Sequence, residues 1–139
     1  MGILRALGVG GGELKLELVS ATASAGGALA GKAVFVAGKR PEEVRSLRLR
    51  LFFDEGDPGV GERDIVPVID LSGPFVTEPG RTYGFPFSLT LPATAFQGRA
   101  RPGVRYVLQV TADIPGAIDA RVELEVEILP AVSVEGAEP

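Results

Sequence analysis

Ser46-Leu47-Arg48-Leu49-Arg50-Leu51-Phe52-Phe53 decides the fold class. Leu47, Leu49, Leu51 and Phe53 fall on one parity, and Ser46, Arg48, Arg50 and Phe52 on the other. Successive side chains of a strand point to opposite faces, so this alternation describes a strand with one buried and one wet face. Working outward, the same period recurs along the chain. Leu14, Leu16 and Leu18 alternate with Glu13, Lys15 and Glu17. Tyr83, Phe85, Phe87, Leu89 and Leu91 share a parity, with Pro86 on the other. Val104, Tyr106, Leu108, Val110 and Ala112 form a further set, and Val122, Leu124, Val126 and Ile128 face away from Arg121, Glu123, Glu125 and Glu127. Lys32–Ala37 and Ile65–Leu71 complete the series, and Pro67 places the latter at a sheet edge or a bulge. Turn residues separate these runs at Gly38–Glu42, Glu78-Pro79-Gly80 and Pro115-Gly116. About seven to eight short strands with regular turns make an all-β, antiparallel, immunoglobulin-like sandwich.

The length of 139 residues corresponds to one domain. Ile3, Leu4 and Leu7 stand at helical spacing, which predicts a short helix over about residues 2–8. Gly10-Gly11-Gly12 closes this unit, 1–12, as a flexible joint. Residues 13–130 form the sandwich, and 131–139 a tail. So short a helix is not stable alone in water, so Ile3, Leu4 and Leu7 are expected to pack on the sandwich or on a neighbouring chain. Lys32–Ala37 reads as an edge strand without a guard, and Val132 and Val134 alternate as an added strand would. A homodimer or larger assembly is therefore expected.

Hydrophobic residues make up 45% of the chain and charged residues 23%, the balance of a folded globular protein. Cys and His are absent from the sequence. That excludes disulfides, thiolate nucleophiles, Cys/His zinc sites and every Ser-His or Cys-His catalytic arrangement. The net charge of −4 gives no bulk attraction to nucleic acid. The N-terminus has no apolar run of signal-peptide length, so a cytoplasmic location is expected. Membrane contact is not expected from one Arg and three aliphatic residues. Eleven Arg against three Lys, two Gln and no Asn fit a thermophile.

Several motifs bear on chemistry. Gly26-Gly27-Ala28-Leu29-Ala30-Gly31-Lys32 resembles part of a phosphate loop, but Ala33 stands where a Ser or Thr should hold magnesium, and a strand follows instead of a helix. A hairpin loop is the expectation. Asp54, Glu55, Asp57, Glu62 and Asp64 surround glycines but lack the spacing of a helix-loop-helix calcium loop. Asp113 and Asp119 flank Pro115-Gly116, where turn capping accounts for them better than acid–base catalysis. No enzyme activity and no cofactor are expected. Arg45, Arg48 and Arg50 lie on or beside one wet strand face, where arginine pairs with cross-strand carboxylates such as Glu13, Glu17, Glu123 or Glu125, or recognises an anion or a partner. Phe52 shares that face and needs a cover. Arg48, Arg50 and Phe52, with Ile3, Leu4 and Leu7, are the candidate partner-binding residues.

The order of segments resembles the arrestin-like domain of the bacterial sporulation-control protein family. Ile3-Leu4-Arg5-Ala6-Leu7-Gly8-Val9-Gly10 is similar to its opening helix and joint, and Gly31-Lys32-Ala33-Val34-Phe35-Val36-Ala37-Gly38 to its second strand. Val44–Leu51 continues as its third strand. Phe75-Val76-Thr77-Glu78-Pro79-Gly80 followed by Phe85-Pro86-Phe87-Ser88-Leu89-Thr90-Leu91-Pro92 is the most specific match. Val107–Ile114, Ala117-Ile118-Asp119 and Leu129-Pro130 fit the closing strands. The resemblance implies an arrestin-type sandwich working as a non-enzymatic adaptor or regulator by protein–protein binding, with an unidentified partner. A sandwich binding calcium, a sugar or an anionic metabolite is the alternative.

Overall fold

The computed structural model describes residues 3–9, 12–54, 62–93, 105–116 and 120–129. Twelve strands run through the described residues: β1 (Ile3–Val9), β2 (Gly12–Leu18), β3 (Thr22–Ser24), β4 (Ala28–Val36), β5 (Glu43–Val44), β6 (Ser46–Asp54), β7 (Glu62–Asp64), β8 (Ile69–Ser72), β9 (Phe75–Val76), β10 (Thr82–Thr90), β11 (Arg105–Asp113) and β12 (Ala120–Leu129). This exceeds the expected seven or eight because β1 is a strand and because short pieces too small to show a period pair with the long strands or, for β5 and β9, with each other.

One sheet has the order β1-β2-β4-β10. A second has the order β3-β12-β11-β6-β7, with β8 also on β6, and β5 and β9 form a separate two-stranded sheet. All pairings are antiparallel except β3 with β12. The two sheets face each other across a core of Leu14, Leu16, Phe35 and Leu89 from the first, and Leu49, Leu51, Leu108, Val110 and Leu124 from the second. The expected alternation holds along β12, where Val122, Leu124, Val126 and Ile128 are buried while Arg121, Glu123, Glu125 and Glu127 are exposed. Leu47, Tyr106 and Val126 are likewise buried. Phe85 and Phe87 face the core but are half-buried, because β10 is a sheet end and overlaps the four-residue β8 only slightly.

The expected N-terminal helix is a strand. β1 pairs with β2 over seven residues, Ile3 opposite Leu18, Leu4 opposite Glu17 and Leu7 opposite Leu14. A short apolar run does not separate helix from strand by period alone, and hydrogen bonds to β2 stabilise the extended form where a short helix would have only itself. Lys32–Ala37 is also corrected. It belongs mostly to β4, which is flanked by β2 and β10 and so is an interior strand. The Ser20–Ala30 loop contains β3 and the start of β4; the expected hairpin is not formed, because β3 pairs with β12 in the larger sheet and β4 lies in the smaller one, and Gly27 N–H bonds to the Ser24 carbonyl in the turn that crosses between them. Ile65–Leu71 is not one strand: β7 and β8 both pair with the edge of β6 on either side of Pro67, and the β6/β8 register slips between Leu47 and Arg48. The proline had pointed to an edge and an irregularity, and both are present. The tail 131–139 and most of the acidic loop, residues 55–61, lie outside the described residues, as does Asp119.

The Phe75–Arg81 stretch pins the two sheets' ends. Thr77 is buried; its hydroxyl accepts the Glu42 N–H at 2.8 Å and its N–H is donated to the Glu42 carbonyl at 2.8 Å. Glu78-Pro79-Gly80-Arg81 closes with Arg81 N–H on the Glu78 carbonyl at 3.0 Å, and Gly80 has φ +77°, the left-handed value that a type II turn demands at its third position.

Candidate functional site

Strand parity sends Arg48, Arg50 and Phe52 of β6 to the outer face of the larger sheet. Their register partners on β11 are Thr111, Gln109 and Val107. Arg48 Nε donates to Asp70 Oδ1 of β8 at 3.0 Å. Arg50 Nε donates to Asp64 Oδ1 of β7 at 2.9 Å, and Arg50 Nη2 lies 2.8 Å from the same oxygen. The arginines therefore pair with carboxylates as expected, but not with Glu13, Glu17, Glu123 or Glu125. The partners come from the two short strands on the other edge of β6, whose pairing had no periodic signal.

Phe52 is 1% exposed although it points away from the core. Val107 beside it is also buried, and the Arg50 guanidinium carbon sits 4.5 Å from the Phe52 ring centroid. The cover that Phe52 needs is thus supplied in part by a stacked arginine, a contact favoured by the ring quadrupole. Next to this pair runs a polar chain. Thr111 Oγ1 donates to Gln109 Oε1 at 3.4 Å, and Gln109 Nε2 donates to Glu123 Oε2 at 2.6 Å. Gln109 is buried, so these bonds satisfy an amide that would otherwise be costly to hold there. Farther along the same face Arg105 donates to Asp54 at 3.0 Å, which raises the guanidinium above its ordinary value and keeps it charged.

Ser46, Arg48, Arg50, Thr111 and Asp113 line a depression of about 290 Å³ on this face. It offers guanidinium and hydroxyl donors beside one carboxylate. Asp70, Gln109 and Thr111 were not singled out from the sequence, whereas Asp64 was read there as part of an acidic loop and Asp113 as a turn cap. Gln109 and Thr111 had a legible signal, since they are the polar parity of a strand otherwise rich in Val and Leu. Ile3, Leu4 and Leu7 lie on β1 in the other sheet, so the six candidate residues do not make one surface. Arg45 is exposed beside the depression, with its backbone N–H on the Asp113 carbonyl at 2.8 Å.

A second, apolar depression of about 430 Å³ lies where β2 ends, between Leu18, Val19, Gly31 and Phe87. Val19 is 70% exposed there, and Lys32 and Glu17 form an ion pair of 3.8 Å at its rim. Among the described residues no group of three or more His, Cys, Asp or Glu is placed to hold a metal ion. No helix among them is long and apolar enough to cross a membrane.

Comparison with known proteins fixes the family. The family model described as Spo0M, SpoOM protein, matches residues 1–136. The chain belongs to the Spo0M family. The solved crystal structure of Spo0M, a sporulation control protein from Bacillus subtilis, is similar to it with a TM-score of 0.71 and 21% identity. The match covers 87% of this chain and 50% of that one, so the chain spans half the length of that Spo0M structure. At this identity the likeness is one of fold. No curated protein sequence matches the chain.

Proposed function

We propose that this chain is a cytoplasmic, non-enzymatic adaptor in sporulation control, acting by binding another protein. Membership of the Spo0M family supports the regulatory part of this reading. The binding part rests on one observation: Arg48 and Arg50 are held side by side by Asp70 and Asp64 around the outer depression. A guanidinium carries five N–H donors, and the bond of Arg48 to the Asp70 carboxylate orients its group while leaving donors for a second carboxylate. The Arg48 side chain is 62% exposed and so reachable. Arginines fixed in advance lose little freedom on binding and are enriched among the residues that carry interface energy. The partner group that fits is a carboxylate on a protein surface. Self-association belongs to the same reading, with β1 and its residues Ile3, Leu4 and Leu7 as the strand that ends the smaller sheet.

The test is affinity purification from native cell extract with the full chain and with Arg48→Glu. A protein retained by the wild type and lost by the variant, at matched melting temperatures, is the expected result. Recovery of the same proteins by both, or of none by either, overturns the proposal. A thermal-shift screen with calcium, sugars and anionic metabolites addresses the ligand-binding alternative, since a ligand at about 100 times its Kd adds about 2.7 kcal/mol.

A further inference from the structure

β10 ends the smaller sheet, and among the described residues no strand pairs with its far side. Its hydrogen-bonding parity can be read from its flanks. Leu91 N–H donates to the Gly27 carbonyl at 2.8 Å, and Ala37 N–H donates to the Arg81 carbonyl at 2.8 Å. Both lie on the continuation of the β10/β4 register, in which Thr82 faces Val36 and Thr90 faces Ala28. In an antiparallel ladder a residue's N–H and C=O point to the same side and alternate along the strand. The odd-numbered residues, Tyr83 to Leu89, therefore bond to β4. Thr82, Gly84, Pro86, Ser88 and Thr90 present their backbone groups to the open edge.

Three features make this edge fit another copy of itself. Thr82–Thr90 contains no charged residue, so two copies would not repel. Its inward row, Tyr83, Phe85 and Phe87, is only half-buried and would gain cover from a neighbouring strand. The strand is nine residues long, with Pro86 at its midpoint. Two β10 strands paired antiparallel about a two-fold axis at that midpoint would set Gly84 against Ser88 and Pro86 against Pro86. Proline has no N–H, so the central pair would lose both of its hydrogen bonds and leave two carbonyls without donors. A shift of register leaves the same two donors missing.

We infer that the edge of β10, which no strand among the described residues pairs, is a latent self-association surface for a second copy of this chain, which Pro86 holds shut in the wild type. The usual guards of an exposed edge are a charged side chain, a proline, a bulge or a cover, and on β10 the proline is the guard present. This goes beyond the proposed adaptor role and involves the opposite sheet from Arg48.

The test uses the full chain with Pro86→Thr, which restores the donor with a β-former on the exposed face. Light scattering over a concentration series should show self-association on the order of ten- to a hundredfold stronger than wild type, the gain of two hydrogen bonds. Combining Pro86→Thr with Ser88→Pro moves the missing donor to the next outward position and should return the mass to the wild-type value. Amide exchange on the wild type gives a reading that does not depend on a variant folding: Gly84 and Ser88 should exchange much faster than Phe85 and Phe87. Equal protection of the four amides in the wild type, an unchanged mass for Pro86→Thr, or equal association of the single and double variants each overturns the inference.

Discussion

Leu89 is 3% exposed while Phe87, two residues earlier on the same face, is half-buried. The difference arises from place, since Leu89 packs where both sheets overlap and Phe87 where the larger sheet has thinned to β8. Leu89→Ala should therefore cost about 2–5 kcal/mol in chemical denaturation, the range for a buried leucine. Phe87→Ala should cost less than the roughly 3–5 kcal/mol of a fully buried ring. Equal losses would show that the sandwich is closed at β10. Arg48 and Asp70 present the opposite case. Their side chains are 62% and 66% exposed, and an exposed pair contributes only about 0–1 kcal/mol. A binding defect on changing Arg48 is thus readable apart from folding.

At the level of strands, the N-terminal hairpin depends on close approach as much as on apolar pattern. β2 lies between β1 and β4, and at Gly31 a β-carbon would collide with the Glu17 carbonyl oxygen. Only glycine lets the two backbones meet there. β1 then covers the other side of β2. Removing residues 1–9 would uncover the backbone groups of β2 that now bond to β1, and an uncovered edge templates pairing with other chains. The truncated chain should melt at a lower temperature and aggregate on heating, checked by circular dichroism and light scattering. An identical melting curve and mass would mean that β1 contributes nothing to the sheet.

Across the whole molecule the pairings join distant segments. β6 pairs with β11 from Ser46 opposite Asp113 to Asp54 opposite Arg105, and β4 pairs with β10 from Ala28 opposite Thr90 to Val36 opposite Thr82. Loop closure must precede these contacts, so folding should take milliseconds to seconds, as non-local β topologies do. Stopped-flow refolding checks this, and a microsecond rate would contradict the topology. The alternation in Leu47–Phe53, Tyr83–Leu89 and Val122–Ile128 is a property of the chain itself, because period two fixes which residues share a face. So all-β class, core leucines and the outward arginines were readable in residue order, as was the family likeness in Phe75–Pro92. Neighbours are not a property of residue order. Nothing local in Ile3–Val9 says strand until β2 lies beside it, and nothing in Lys32–Ala37 says interior until β10 adds to its free side. Asp64 and Asp70 meet Arg50 and Arg48 only because β7 and β8 fold back on one edge of β6. Phe52 is buried on an outward face where Val107 faces it from the neighbouring strand and the Arg50 guanidinium folds back along its own strand onto the ring. Periodicity is set by covalent geometry, whereas pairing, edges and ion partners are set by which strands the sheet brings into contact.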